Sequence, residues 1–119
     1  TPHKMRTRYC NIDYDREIGI VGEIKQEGKR RFLGVTRIIA DPGSNDEAEF
    51  ALVVSDKWQR QGLGAEFIDY TLEIARKKGF KKIYGPVLKD NIPMIKLCRE
   101  KNFDFSEGDP GEYMVTHEL

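Results

Sequence analysis

Cysteine and histidine are scarce in this chain, which has only Cys10, Cys98, His3 and His117 in its 119 residues. Two lone cysteines make no disulfide framework and fit a reducing cytoplasm, where free cysteine behaves as a small buried hydrophobe. The histidines stand at opposite termini and no paired Cys or His spacing occurs, so no zinc pattern is present and no metal is expected. A charge excess is missing too, because twenty basic and twenty acidic residues cancel to a net charge of zero. No global field therefore favours nucleic acid or an anionic membrane. Lys77, Lys78, Lys81 and Lys82 read more simply as a helix C-terminus and the start of the next strand. No apolar run reaches membrane-spanning length and no signal peptide opens the chain. These absences lead us to expect a cytoplasmic domain that binds neither nucleic acid nor membrane. The chain opens on TPHKMRTRYC without an initiating methionine. We therefore expect residues 1–119 to be a single domain excised from a longer chain, its length being near the commonest for one domain.

What is present is periodic. IGIVGEI within Glu17–Gln26 reads as a strand, EGK at Glu27–Lys29 as a hairpin turn, and RRFLGVTRIIA as its antiparallel return. After the loop DPGSND, EAEFALVV alternates, with Phe50, Leu52 and Val54 on one face and Glu49, Ala51 and Val53 on the other. From Gly62 the period becomes helical: Leu63, Phe67, Tyr70/Thr71, Ile74 and Lys78 form a stripe that Ile68, Leu72 and Ala75 widen. RKKG closes this helix, with Gly79 as a left-handed residue just past its end. KKIYGPVL reads as a strand and DNIPMIKLCREKNF as a shorter helix capped by Asp90 or Asn91. FDFSEGDPGEYMVTHEL reads as two short strands around the turn GDPG. At the start only Met5, Tyr9 and Ile12 are regularly spaced apolar groups, which suggests a short helix or turn. The expected fold is α/β: a mixed, mostly antiparallel sheet of about six strands joined by one right-handed strand–helix–strand crossover. Its parallel pair should join the strand ending near Val54 to Lys82–Val87, with Leu63, Phe67, Leu72 and Ile95 or Leu97 buried beneath the helices.

The junction WQRQGLG places Gly62 and Gly64 where that strand hands over to the long helix. The plain reading is a tight turn. The alternative is an anion seat, because the first amides of a helix have no intrahelical partner and two bare glycines let a phosphate approach them. No Lys-Ser or Lys-Thr follows Gly64, which excludes the P-loop pattern. Phe67 stands where the dinucleotide fingerprint needs its third glycine.

Gln59-x-x-Gly62-x-Gly64 between an apolar strand and a helix resembles the pyrophosphate loop of the GCN5-related N-acetyltransferases. NIPMIKLCREKNF is similar to the family's second signature. DYDREIGIV, AEFALVV and WQRQGLG look more narrowly like acetyltransferase domains joined to ADP-forming acyl-CoA synthetases, and like related bacterial protein-lysine acetyltransferases. The resemblance implies a fold whose N-terminal part, the opening strand and first helices, is missing or shortened. It implies acetyl-CoA, or another short acyl-CoA, as cofactor. Backbone amides of Gln59, Arg60, Gln61, Gly62, Leu63 and Gly64 would cradle its pyrophosphate. Leu52, Val53 and Val54 would pair with the pantetheine arm in a splay beside Ile83–Val87, and Asn91 would reach it from the other side. The implied acceptor is a protein lysine or a small amine, and linked acyl-CoA synthetase domains are implied partners. Asn102 replaces the signature's usual glycine, a mild departure since asparagine tolerates the left-handed conformation.

Moving acetyl to an amine requires a neutral nucleophile, and deprotonating a lysine at pH 7 costs about 4 to 5 kcal/mol. A general base relieves that cost. Glu49, on a strand that otherwise reads as interior, is the first candidate, and Glu47 the second. The bland alternatives for Glu49 are an exposed strand start or a pairing with Arg37. A glutamate at this position is the base in the resembling protein acetyltransferases. Many family members carry a tyrosine acid where this chain has Cys98, which is either a proton donor or plain core; Tyr84 and Tyr113 are alternatives. Direct transfer is expected, because neither histidine is spaced to activate a covalent cysteine. The non-enzyme alternative is a domain that senses acyl-CoA without turnover.

Overall fold

The computed structural model describes residues 5–55 and 62–119. Its elements are β1 (Met5–Asp13), β2 (Glu17–Gln26), β3 (Lys29–Ala40), β4 (Glu47–Val54), α1 (Leu63–Lys77), β5 (Lys82–Leu88), α2 (Ile92–Glu100), β6 (Asp104–Glu107) and β7 (Glu112–Glu118). All seven strands form one sheet in the order β1-β2-β3-β4-β5-β7-β6. Every neighbouring pair is antiparallel except β4 and β5, the pair joined through α1.

Turn chemistry sets the meander. Glu27 and Gly28 both take positive φ, 52° and 80°, and close β2 onto β3 with Gln26 opposite Lys29. That is the two-residue turn whose twist matches paired strands. The short helix or turn expected at the start is instead β1, paired with β2 from Met5↔Gln26 to Asp13↔Ile18. Its inner face is too polar to announce a strand: the Thr7 hydroxyl and, more distantly, the Tyr9 hydroxyl donate to Glu66 of α1, at 2.5 and 3.3 Å. β1 passes straight into β2 through 14–16, and among the described residues no helix precedes β4.

Both helices pack on one face of the sheet. Leu63, Phe67, Ile68, Leu72 and Ala75 of α1 and Met94, Ile95, Leu97 and Cys98 of α2 join Ile20, Ile38, Phe50, Ile83 and Val115 in a single core. Ile95 and Leu97 are both buried, where the sequence offered one or the other. One polar pair lies in this core: Thr71 donates to the Phe67 carbonyl at 2.9 Å and lies 3.1 Å from the Thr36 hydroxyl, so neither oxygen is orphaned. The helices end as their glycine and asparagine require, with Gly79 at φ 92° and Asn102 at φ 64°. On the other face of the sheet no described helix lies, and Phe32, Ile39, Val53 and Leu88 are exposed there.

Candidate functional site

β4 and β5 share only three register pairs, Glu47↔Lys82, Ala48↔Ile83 and Glu49↔Tyr84, although both strands run on well beyond. The strands part at Gly85, where a Cβ would lie 2.2 Å from the Phe50 carbonyl oxygen. Past that point a gap of about 440 Å³ opens between Leu52, Val53 and Val54 on one side and Leu88, Asn91 and Met94 on the other. The ladder fixes which backbone groups face it. Asp41 N–H donates to Glu47 and Ser55 N–H to Leu33, at 2.9 and 2.8 Å, so the odd-numbered residues of β4 bond to β3. Antiparallel alternation then turns Leu52 N–H and C=O the other way, into the gap.

Asn91 caps α2 at the gap's far wall, its side-chain oxygen accepting from Met94 N–H at 3.3 Å. Beyond Pro93 the gap continues into a groove of about 520 Å³ between Gly62 and Ala65 of the α1 start and Ile92, Lys96 and Glu100 of α2. Among the described residues no side chain caps α1. Its N-terminal amides therefore offer partial positive charge to this groove.

The two glycines that drew attention in the sequence do different work. Gly62 is exposed at φ 75° with nothing within 4 Å of its Cβ position, so it supplies a left-handed turn. Gly64 is buried, and a Cβ there would come within 2.9 Å of Leu97 Cδ1; its missing side chain serves helix packing instead. Leu63 is likewise a buried core residue. Gln59, Arg60 and Gln61 lie outside the described residues.

Glu49 stands on the uncovered face, directly beside Tyr84 at the last pair before the strands part. This face is not the interior one expected, because Glu49, Ala51 and Val53 are all exposed. Nor is Arg37 its partner: Arg37 lies opposite Ala51 and its Nε donates to Glu17 at 2.7 Å. Tyr84 donates to Asp41 at 3.3 Å. Burial, Asp41, and more weakly Glu49 and Glu47, raise the Tyr84 phenol above its ordinary value, which makes it a poor acid. Cys98 is fully buried in the core and lines neither the gap nor the groove, and burial pushes its thiol up to about 11. Tyr113 packs edge-on to Phe105 with Lys89 over its ring.

The split between adjacent parallel strands thus runs to a helix start that no described side chain caps. The family model described as "Acetyltransferase (GNAT) family" matches residues 1–105. The chain belongs to this GNAT family. A curated relative, acetyltransferase PA5475 of Pseudomonas aeruginosa, is 27% identical over 109 residues, covering 92% of this chain. The chain spans 58% of that relative's length. Among solved structures, the GNAT domain of S. lividans PAT superposes with a TM-score of 0.75 at 23% identity, over 90% of this chain and 64% of that one. The Campylobacter jejuni N-acetyltransferase PseH, in complex with acetyl coenzyme A, gives a TM-score of 0.69 at 16% identity, over 89% of this chain and 70% of that one.

Sequence reasoning about this GNAT domain missed Gly85, Asp41 and the groove residues Ala65 and Lys96. Gly85 had a visible signal: a glycine interrupting an otherwise apolar strand marks close approach of another backbone.

Proposed function

We propose that this domain transfers acetyl, or another short acyl group, from its CoA thioester to an amine, and that the acceptor is a lysine of a folded protein. The observation that carries this reading is the parting of β4 from β5 immediately after Glu49↔Tyr84. The residues present fit an acyl-CoA. Leu52 offers N–H and C=O along an open strand edge, which suits the amides of an extended pantetheine arm. The apolar walls Val54, Leu88 and Met94 suit its methylenes, and the start of α1, capped by no described side chain, suits its phosphates.

Bound acetyl-CoA supplies the acyl group as an activated thioester. The chain's own residues then have three tasks. The gap orients the arm so that the acyl group lies where the strands diverge. Glu49, on the uncovered face at that point, takes the proton from the incoming ammonium, directly or through water. No protein acid is assigned to a departing CoA thiolate: Cys98 belongs to the core, and Tyr84 is already donating to Asp41. Transfer is direct, since no described histidine adjoins a cysteine in either groove.

The acceptor class follows from shape. Glu49 sits on a sheet face that no described helix walls in, so a folded protein can bring a lysine to it. An enzyme of acyl-CoA metabolism in the cytoplasm is the acceptor that the narrower resemblance favours. Incubation with acetyl-CoA and either lysine-bearing proteins or a panel of small amines tests the reading, with released CoA thiol and mass spectrometry as readouts. N-acetyl-lysine formed in step with CoA release is the expected result. Transfer to small amines alone would overturn the acceptor, and no release with any amine would overturn the enzyme.

A further inference from the structure

At the end of the sheet where β4 stops, β1, β2 and β3 run on as a ribbon. Its uncovered face carries a basic cluster. Arg6 lies directly opposite Lys25, and Lys25 directly opposite Arg30, so three cations stand side by side across three strands. Arg8 follows in the next row, opposite Glu23. Together with Thr7 these residues line a shallow cavity of about 230 Å³. Arg6, Arg8, Lys25 and Arg30 are all exposed.

Two features set this cluster apart from ordinary surface charge. Like charges directly opposite each other destabilise a strand pair, so the row is unfavourable for the fold alone. Several cations elsewhere are held by carboxylates, Arg37 by Glu17, Lys78 by Asp13, Lys89 by Glu107 and Lys101 by Asp69, all within 2.9 Å. Among the described residues, Arg6, Arg8, Lys25 and Arg30 join no ion pair or side-chain hydrogen bond, although Glu23 stands among them. The chain as a whole is neutral, so this imbalance is local.

We infer that the Arg6–Arg8–Lys25–Arg30 cluster is a docking surface for a carboxylate-rich patch on the protein acceptor, and this rests on the acyl-transfer reading above. The cluster lies on the same sheet face as Glu49. The intervening strand length, from the Arg30 row to Ile39 opposite Glu49, is roughly 25 to 30 Å. That is the width of one standard interface of about 800 Å² per partner. Val21, Val35 and Val53 line up across the face between the two ends. A protein is favoured over nucleic acid because Glu47 and Glu49 hold the far end of that face: a phosphate backbone is negative along its whole length, whereas a folded protein can meet the basic end with carboxylates and the acidic end with its lysine. The acyl-CoA phosphates are not the ligand, since the groove at the start of α1 lies on the helix side of the sheet.

The probes are poly-L-glutamate for the surface, single-stranded DNA as the rival polyanion, and CoA as the control for an intact cofactor groove. At 0.1 M salt, where the screening length is about 10 Å, wild type should bind poly-L-glutamate. The triple variant Arg6→Gln, Lys25→Gln, Arg30→Gln should bind it at least tenfold more weakly, with CoA affinity unchanged. The difference should close as salt approaches 1 M. The same variant should melt at a higher temperature than wild type, because the cross-strand repulsion is gone. A gain in stability with a loss of binding is the signature of a surface kept for a partner. Should that variant misfold, Arg30→Gln alone should show the same pair of changes at smaller amplitude. Equal poly-L-glutamate binding by wild type and variants would overturn the inference, and tighter binding of DNA than of poly-L-glutamate would overturn the choice of a protein. Loss of polyanion binding in a domain that transfers no acetyl would leave this surface standing while removing the enzymatic reading.

Discussion

Substituting Gly85 with alanine should be the most damaging one-methyl change in the sheet. The added Cβ would sit 2.2 Å from the Phe50 carbonyl oxygen and 3.2 Å from two atoms of its ring. An ordinary carbon–oxygen contact is about 1 Å longer, and the obstructing atom is backbone, which cannot rotate aside. Overpacking of this kind costs about 1 to 3 kcal/mol. We expect the upper end, because β4 is tied to β5 by only three register pairs and the wedge falls beside the last. Against a typical domain stability of about 5 to 15 kcal/mol, a loss near 3 kcal/mol lowers the melting temperature by about 12 °C. The proper control is Gly19→Ala, also in a strand, where nothing lies within 4 Å of the new Cβ. That change should be neutral or stabilise by about 0.4 to 1 kcal/mol through the unfolded chain. Thermal melts and urea titrations of both variants, with CoA titration on each, provide the assay. A Gly85→Ala protein melting within 2 °C or so of wild type, about 0.5 kcal/mol, would refute the close approach and with it the geometry of the gap.

Three further outcomes follow from the same geometry. Gly62→Ala places an L-residue at φ 75°; it should cost about 1 kcal/mol of stability and weaken CoA binding about five- to tenfold. Gly62→Asn should recover the stability but not the affinity, as calorimetry of both variants would reveal. Cys98→Ala should lower stability by about 1 kcal/mol and leave turnover within twofold or so, as expected of a core residue; a large fall in turnover would return the thiol to the chemistry. Burial, then Arg76, hold the His117 imidazole below its ordinary value, and its Nδ1 is buried without a partner among the described residues. Stability from the neutral ring is thus complete above about pH 6.5, the unfolded value, and is lost as pH falls through the folded value. His117→Phe should flatten that loss in urea midpoints measured between about pH 7 and 5; an unchanged pH profile would contradict it.

The periodic parts of the fold were legible because burial imposes period. The alternation from Phe50 to Val54 and the stripe from Leu63 to Ala75 name faces that are buried in the structure. Gly79 and Asn102 were legible because their backbone roles follow from their own chemistry, while the cap of α2, open between Asp90 and Asn91 in the sequence, falls to Asn91. β1 was not, since an edge strand buries one face only and here that face holds Thr7 and Tyr9, bonded to a helix residue far away in sequence. The site was half legible. The glycines pointed to the right junction, but only tertiary contact separates the turn former Gly62 from the packing residue Gly64. The width of the gap depends on where β4 and β5 stop pairing, which no local pattern encodes. Glu49 was chosen on the premise of an interior face. Its actual place, exposed beside Tyr84 at the parting of the strands, gives a different reason for the same residue.

The central claim, acetyl transfer with Glu49 as base, is tested most directly by comparing Glu49→Gln with wild type in acetyl-CoA binding and in turnover on a lysine-bearing protein. Glutamine nearly preserves shape and cannot take a proton. The account predicts acetyl-CoA affinity within about threefold of wild type, turnover at neutral pH lower by roughly 10² to 10⁴-fold, and partial recovery as rising pH supplies neutral amine. Equal turnover by the two proteins would contradict the role of Glu49. Tight acetyl-CoA binding by a wild type that acetylates no amine would contradict the claim itself and leave a domain that senses acyl-CoA.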